Sequence, residues 1–436
     1  MQALKIDRRL NTNSTKVARD SSFELLRIMS MFFIVICHFA THGGFDFGAQ
    51  TLTLPRFWWY FIEMGGNFGV DVFVLISGYF LVASKNELFN ANRILKFWGQ
   101  VFFYSIAIYV IFGIAGINEF SLKSLVKTVF PITFGQWWFA STYFVLYLIH
   151  PFLNNLLNKI DKKTYQSLLT LLITIWCIIP TFTGTSFQSN SLLWFITLYC
   201  VAGYIRLFDL NRIFTTKHFF CFWLLFSALR YLSSVILIIL GTKIPFAADH
   251  SLHFYGTQSV LTFLSALSLF MAFKSIKMDY QKWINSIASA SFGVYLIHDS
   301  GIIRPFLWTT VFKNATYQNT AFLIPYSIFA VLLVYTVSTI IDLLRQATIE
   351  KVFLSILNSN VEKLLTPFNA AVSFFKKLLF GNQEQIRIPP PATSRTDNKT
   401  GICPECETRE ALDAAGIDAA EQEKILAEIQ KAAQKE

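Results

Sequence analysis

A soluble chain of 436 residues would hold about two to four domains, but this one is 54% hydrophobic, only 15% charged and carries 46 phenylalanines. With a mean hydropathy of +0.47, that composition excludes a set of soluble domains and implies a lipid bilayer. The net charge of +10 would suit a nucleic-acid binder, yet the lysines and arginines fall in short loops between apolar runs, which marks membrane topology and excludes nucleic acid as a partner.

Residues 1–22 form a basic segment, followed by an apolar run with no small-residue cleavage pattern; the expectation is a cytoplasmic N-terminus and an uncleaved signal anchor. Ten segments can then span: 23–41, 66–84, 98–116, 137–157, 166–182, 191–208, 218–240, 258–275, 287–303 and 320–344. Placing the N-terminus in the cytoplasm puts 17 loop lysines and arginines inside and six outside. Ten spans return the C-terminus to the cytoplasm. The fold expected is therefore an all-α polytopic membrane protein, with 23–344 as its membrane domain.

Residues 345–380 keep apolar residues at helical spacing between lysines, as an amphipathic helix in the inner interface would. The stretch 381–436 differs in kind: a proline-rich linker leads into an acidic, alanine-rich helical tail with a net charge of −4, against +14 for the preceding chain. Within it, Cys403-Pro-Glu-Cys406 is similar to one knuckle of a zinc ribbon. Tetrahedral zinc needs four ligands and no second pair follows, so two reduced thiols are expected rather than a metal. Four other cysteines lie inside apolar runs, and no disulfide framework is indicated.

The first span, FELLRIMSMFFIVICHFAT, carries Arg27 and His38 eleven positions apart. Eleven steps of about 100° return to within about 20°, so both share one helix face, about 16 Å apart along the axis. Charge and imidazole aligned inside a membrane helix usually serve transport or chemistry. The alternative is that Arg27 snorkels and His38 bonds a nearby carbonyl. In the second stretch, GGNFGVDVFVLISGYFLVASK, glycines at 65, 66, 69 and 78 permit close helix approach, and Asp71 enters the membrane beside them. Asp71 either caps the second span or pairs with Arg27 or His38.

These two stretches resemble the acyltransferase-3 family of integral membrane acyltransferases, whose first helix bears Arg and His at this spacing and whose next follows a pattern like GVDLFFVLSGF. Here that pattern reads GVDVFVLISGY, Gly69 to Tyr79. Two further stretches extend the likeness. WWFASTYFVLYLIHPF, 137–152, is similar to the family's WSLAVEEQFYLLWPLL stretch through Trp138, Tyr147 and Pro151, and SFGVYLIH, 291–298, to its late YLIH segment. The resemblance covers about residues 20–345.

The resemblance implies transfer of an acyl group, commonly acetyl from acetyl-coenzyme A, to a hydroxyl of a cell-surface polysaccharide or its lipid-linked precursor, at a bacterial cell membrane. No tightly bound cofactor is expected; acyl-coenzyme A is the donor and a surface glycan the acceptor. His38 takes the family's catalytic histidine role, Arg27 that of its paired arginine, and Asp71 joins them as the third catalytic candidate. Where the family often has two arginines three apart, this chain has Arg93 and Lys96, and lysine lacks the planar fork. The acidic residue of the family's fourth-helix stretch falls on Tyr143, so no acid or base carries over there. Trp138, Tyr143, Arg230, Tyr295 and His298 complete the expected substrate contacts.

The imidazole of His38 would act as general base or as a transient acyl carrier. Outside those motifs, Arg230 lies mid-span, where charge is costly, while Asp299 and Arg304 can pair outside. His150 and His298 end apolar runs, as interfacial histidines do. Asp249, His250 and His253 cluster in an outer loop, where ordinary solvation is favoured over metal or sugar binding. The rival function is a transporter or flippase of a lipid-linked sugar, against which stands the absence of related halves. A succinyl or longer acyl group is the rival within enzymes.

Overall fold

The computed structural model describes residues 20–47, 51–84, 91–208 and 213–357, with scattered positions between 359 and 426. Every regular element among the described residues is helical, the only spanning choice that closes its own backbone hydrogen bonds in lipid apart from a barrel. Two units are distinguished, 1–359 and 360–436.

In the first unit α1 is Ser21–Thr41, α2 Leu54–Glu63, α3 Gly65–Leu81, α4 Ala91–Ile114 and α5 Trp138–Leu157. There follow α6, Lys162–Thr183, α7, Ser191–Leu207, and α8, Thr216–Gly241. The last three are α9, Val260–Lys274, α10, Lys282–His298, and α11, Leu323–Ala347. Each of the ten expected segments coincides with a helix, and among the described residues seven helical stretches are long and apolar enough to cross a membrane. Helices α5, α7 and α10 fall outside that set. Two of them, α7 and α10, have 17 residues each, and α5 carries His150, Asn154 and Asn155 toward its end. The all-α polytopic fold stands, with ten as an approximate count of spans.

Local chemistry sets these bounds. Asp20 caps α1, its carboxylate accepting from the Ser22 backbone N–H at 3.0 Å. Asp161 and Asn190 do the same for α6 and α7. The turn of α6 at Thr174–Ile178 widens to a π-helix, because Pro180 has no N–H to give the Trp176 carbonyl. Helix α2 was not expected: LPRFWWYFIE reads as an aromatic interfacial belt, yet Pro55 at its first turn and the apolar residues Trp58, Trp59 and Ile62 make it a helix that continues into α3.

Helices α1 and α3 form the centre. A side chain on Gly65 would meet the Phe33 carbonyl at 2.7 Å, and one on Gly69 the Ser30 carbonyl at 2.7 Å; the glycines bring the two backbones together as their spacing implied. Around this pair stand α7 and α9 against α3, and α10 and α11 against α1. Helices α4, α6 and α8 turn large apolar residues outward, among them Ile111, Leu171, Leu224 and Ile236. Such a surface is an aggregation liability in water and an ordinary one in hydrocarbon.

Beyond α11 a turn leads into a further helical stretch ending at Leu357; most of the remainder of the expected 345–380 helix lies outside the described residues, as do residues 1–19. In the second unit the described positions are short helical pieces in which Gln422 donates to Asp413 at 2.6 Å and Arg409 pairs with Glu423 at 2.9 Å. Cys403 and Cys406 lie outside the described residues.

Candidate active site

A cavity of about 600 Å³ runs beside α1, and both Arg27 and His38 line it. Its size is within the range of about 300–1,000 Å³ usual for small-molecule sites. The eleven-residue spacing puts the two side chains at opposite ends of the same wall, about 16 Å apart along the helix.

The Arg27 end carries a network of ion pairs in which cations outnumber the one carboxylate, Glu350, on its wall. Arg27, Lys96 and Arg345 all line it. Arg27 pairs with Glu24 on its own helix at 2.8 Å. Lys96 and Arg345 share Glu350, at 2.5 and 2.8 Å. Arg345 is also held by Asp342 at 2.8 Å, and Asp342 accepts from Tyr104 at 2.7 Å, so the guanidinium is fixed in place from two sides. Between the ends the wall is aromatic: Phe97 stacks on Phe292 at 4.9 Å and Phe139 on Tyr143 at 5.9 Å. Trp138, Tyr143 and Tyr295 line this middle stretch.

The His38 end carries a chain of hydrogen bonds whose direction is set by the partners' chemistry. His298 Nδ1 lies 2.6 Å from the Val294 carbonyl, which only accepts, so in the neutral ring Nδ1 bears the proton and Nε2 the lone pair. His38 Nδ1 is 2.9 Å from His298 Nε2 and must donate to it. His38 Nε2 is then the basic nitrogen, and it has no hydrogen-bond partner among the described residues. Asp299 stands behind the pair, its Oδ1 3.5 Å from His38 Nδ1 and 3.0 Å from Arg304 Nε. An oriented imidazole with a carboxylate behind it is the arrangement that activates hydroxyls and thiols across unrelated folds.

His42, one turn past His38, lies 3.9 Å from Asp299. Burial pushes its imidazole down to about 4, Arg304 adding to the effect and Asp299 opposing it. His38, His42 and Asp299 are close enough to hold a metal ion. The residues fit one poorly, because the Arg304 guanidinium already neutralises Asp299 and His38 Nδ1 is committed to His298.

Of the remaining sequence candidates, the structure brings some elsewhere. Asp71 does not meet Arg27 or His38: it is fully buried off the cavity, accepting from Trp194 Nε1 at 2.9 Å. The partner comes from α7, which no local spacing could reveal. Arg230 is likewise off the cavity wall, and a substrate contact is replaced by a structural one. Its guanidinium donates to the Met64 carbonyl at 2.7 Å and lies over the rings of Tyr255 and Phe68, closing the joint between α2 and α3. His298 sits behind His38 rather than on the wall. Arg93 also lies off the cavity, beside Tyr147 and His150. His150 bonds the Tyr147 carbonyl. His253 donates to the Thr181 carbonyl at 2.7 Å and His250 to that of Phe246 at 2.8 Å, so these histidines staple the loop between α8 and α9.

Arg230→Met is expected to leave the Met64 carbonyl without its donor and to cost about 1–3 kcal/mol of stability. The check is a lowered unfolding temperature in detergent with coenzyme A affinity retained. Lost affinity at unchanged stability would return Arg230 to the binding site.

Sequence reasoning missed four wall residues that carry a charge or an imidazole. Glu63 was hidden by the unexpected α2, and His42 by an expected helix end at 41, although it is four residues from His38. Arg345 and Glu350 lie beyond the expected end of the last span at 344.

No curated protein and no solved structure matches the chain. The model of the family described as "Acyltransferase domain" matches residues 20–342, which takes in α1 to α10, most of α11, Arg27 and His38, while Arg345 and Glu350 lie just beyond it. A match over that much of the chain settles its kinship: this membrane protein belongs to the acyltransferase-3 family and is an acyltransferase.

Proposed function

We propose that the chain moves an acyl group, acetyl in the first instance, from acyl-coenzyme A to a hydroxyl of a cell-surface polysaccharide or its lipid-linked precursor. The observation that carries this reading is one cavity with ion-paired cations at one end and, at the other, an oriented imidazole nitrogen with no partner among the described residues. Phosphates of the donor are taken by Arg27 and Lys96 in exchange for Glu24 and Glu350, with Arg345 adding its charge from where Asp342 holds it. The pantetheine arm runs along the aromatic wall, and the thioester reaches His38. With the N-terminus cytoplasmic, as the loop charges favour, the cationic end opens to the cell's own coenzyme A and the His38 end lies toward the outer face.

In the transfer step the acceptor hydroxyl gives its proton to His38 Nε2 while its oxygen attacks the thioester carbonyl. His298 accepts from Nδ1 of the imidazolium that results, and Asp299, shared with Arg304, offsets part of its charge. The tetrahedral intermediate collapses by breaking the carbon–sulfur bond, and the proton on Nε2 passes to the departing thiolate. The ring ends neutral, the sugar acylated and coenzyme A free.

The test supplies membranes holding the protein with acetyl-coenzyme A labelled in its acetyl group and with polysaccharide extracted from the source cell's envelope. The expected result is label on the glycan and an equal amount of free thiol. Glycan moved across the membrane without thiol release would favour a transporter. Label from succinyl- but not acetyl-coenzyme A would change the acyl group, and acyl-histidine accumulating on the protein before acceptor is added would replace direct transfer with two steps.

A further inference from the structure

We infer that Glu63 is the acceptor-recognition residue, its carboxylate taking hydroxyl groups of a neutral sugar at the His38 end of the cavity; this rests on the acyl-transfer reading above. Glu63 lines the cavity and is tied to α1 through one oxygen only. Its Oε2 accepts from Thr41 Oγ1 at 2.8 Å and from Cys37 Sγ at 3.6 Å. Cys37 and Thr41 bracket His38 in the sequence, so these two donors hold the carboxylate beside the catalytic imidazole. The other oxygen, Oε1, makes no hydrogen bond among the described residues, and no lysine, arginine or histidine among them pairs with Glu63.

A carboxylate set into a membrane protein without a cation is costly. The positions of its neighbours say what would compensate. Asn67, one helical turn beyond Glu63, also lines the cavity; one N–H of its Nδ2 goes to the Tyr255 carbonyl at 2.8 Å, and its Oδ1 accepts no hydrogen bond among the described residues. Glu63 Oε1, Asn67 Oδ1 and His38 Nε2 are all acceptors. Three acceptors grouped this way favour a ligand rich in donors and disfavour phosphate, whereas the Arg27 end, with three cations against the one carboxylate of Glu350 on its wall, does the reverse.

The two ends therefore sort the two substrates by charge: the anionic donor enters at the cations and the polyol at the carboxylate. Charge-assisted bonds from sugar hydroxyls to a desolvated carboxylate are the strong kind. A hydroxyl adjacent to the one being acylated can reach Oε1 while its neighbour faces His38. Arg230, closing the joint at Met64 next in sequence to Glu63, keeps that carboxylate aimed.

The experiment uses full-length protein in lipid nanodiscs and measures two affinities separately: that for coenzyme A, and that for polysaccharide extracted from the source cell's envelope, each with the other absent. Glu63→Gln keeps shape and the Thr41 bond while removing the charge. It is expected to weaken polysaccharide binding roughly 10- to 100-fold and to leave coenzyme A affinity within about twofold. Glu63→Asp, which restores the charge on a shorter stem, is expected to recover part of the loss. A merely structural role would move both affinities together, and that outcome, or unchanged polysaccharide binding in Glu63→Gln, overturns the assignment. Because binding is read without turnover, a wild-type protein that binds polysaccharide through Glu63 yet transfers no acyl group would overturn the functional reading and leave the Glu63 site standing.

Discussion

Replacing His38 with alanine is expected to lower the turnover of acyl transfer by about 10²–10⁴-fold, the usual worth of a positioned general base. The loss follows from one atom. In the wild type, Nδ1 is tied to His298 at 2.9 Å, so the basic nitrogen is Nε2, and no other unpartnered histidine nitrogen on the cavity wall has a second ring locking its orientation. His42 is four residues away and lines the same end, but among the described residues no second histidine accepts from its ring as His298 accepts from His38, so no basic nitrogen of His42 is held toward the acceptor. It therefore does not substitute. The substitution touches neither Arg27, Lys96 nor Arg345, so coenzyme A affinity is expected to persist. The measurement is acceptor-dependent thiol release at matched protein levels, with coenzyme A binding as the control. Turnover within threefold of wild type would remove His38 from the chemistry.

The second large effect is predicted at a residue that touches no substrate. His298 is fully buried behind His38, and its hydrogen bond to the Val294 carbonyl is what forces its Nε2 to accept. His298→Ala removes that acceptor, frees the His38 ring to rotate and lets the other tautomer populate. A drop in turnover of about 10²-fold is expected, with the Michaelis constant for the donor little changed. His298→Gln presents an amide oxygen toward the same place and is expected to recover a measurable part of the rate, which a cavity-filling role alone would not allow. Equal turnover in His298→Ala and wild type would break the relay.

How much of this could be read in advance depended on whether a partner was local. The shared face of Arg27 and His38 follows from helix periodicity within one segment, and the close approach of α1 and α3 from glycines within another. Both are visible in sequence because the geometry is contained in a few turns of one helix. The partners of Asp71 and Arg230 were not, since Trp194 and the Met64 carbonyl meet them through tertiary packing. Periodicity tells which face a residue occupies and not which helix will lie against it.

The misses at the cavity ends have a second cause, the placing of helix boundaries. Ending the first span at 41 left His42 in a loop, and ending the last at 344 cut off Arg345 and Glu350, although α11 runs to Ala347 and helical structure continues to Leu357. Lipid imposes a minimum apolar length but no maximum helix length, so polar residues that continue a spanning helix escape a hydropathy reading. Glu63 was lost in the same way at the end of the aromatic α2. These are the positions where a membrane enzyme meets water-soluble substrates, and the composition that marks spans is weakest there.

The central claim is that one cavity holds coenzyme A by its phosphates at the Arg27 end while the reacting carbon lies against His38. A structure with a non-hydrolysable acetyl-coenzyme A thioether bound would decide it. The account predicts phosphates among Arg27, Lys96 and Arg345 and the carbonyl-equivalent carbon within about 5 Å of His38 Nε2, leaving room for the acceptor oxygen between them. Phosphates bound elsewhere, or a His38 ring turned so that Nε2 faces away from the analogue, would contradict it.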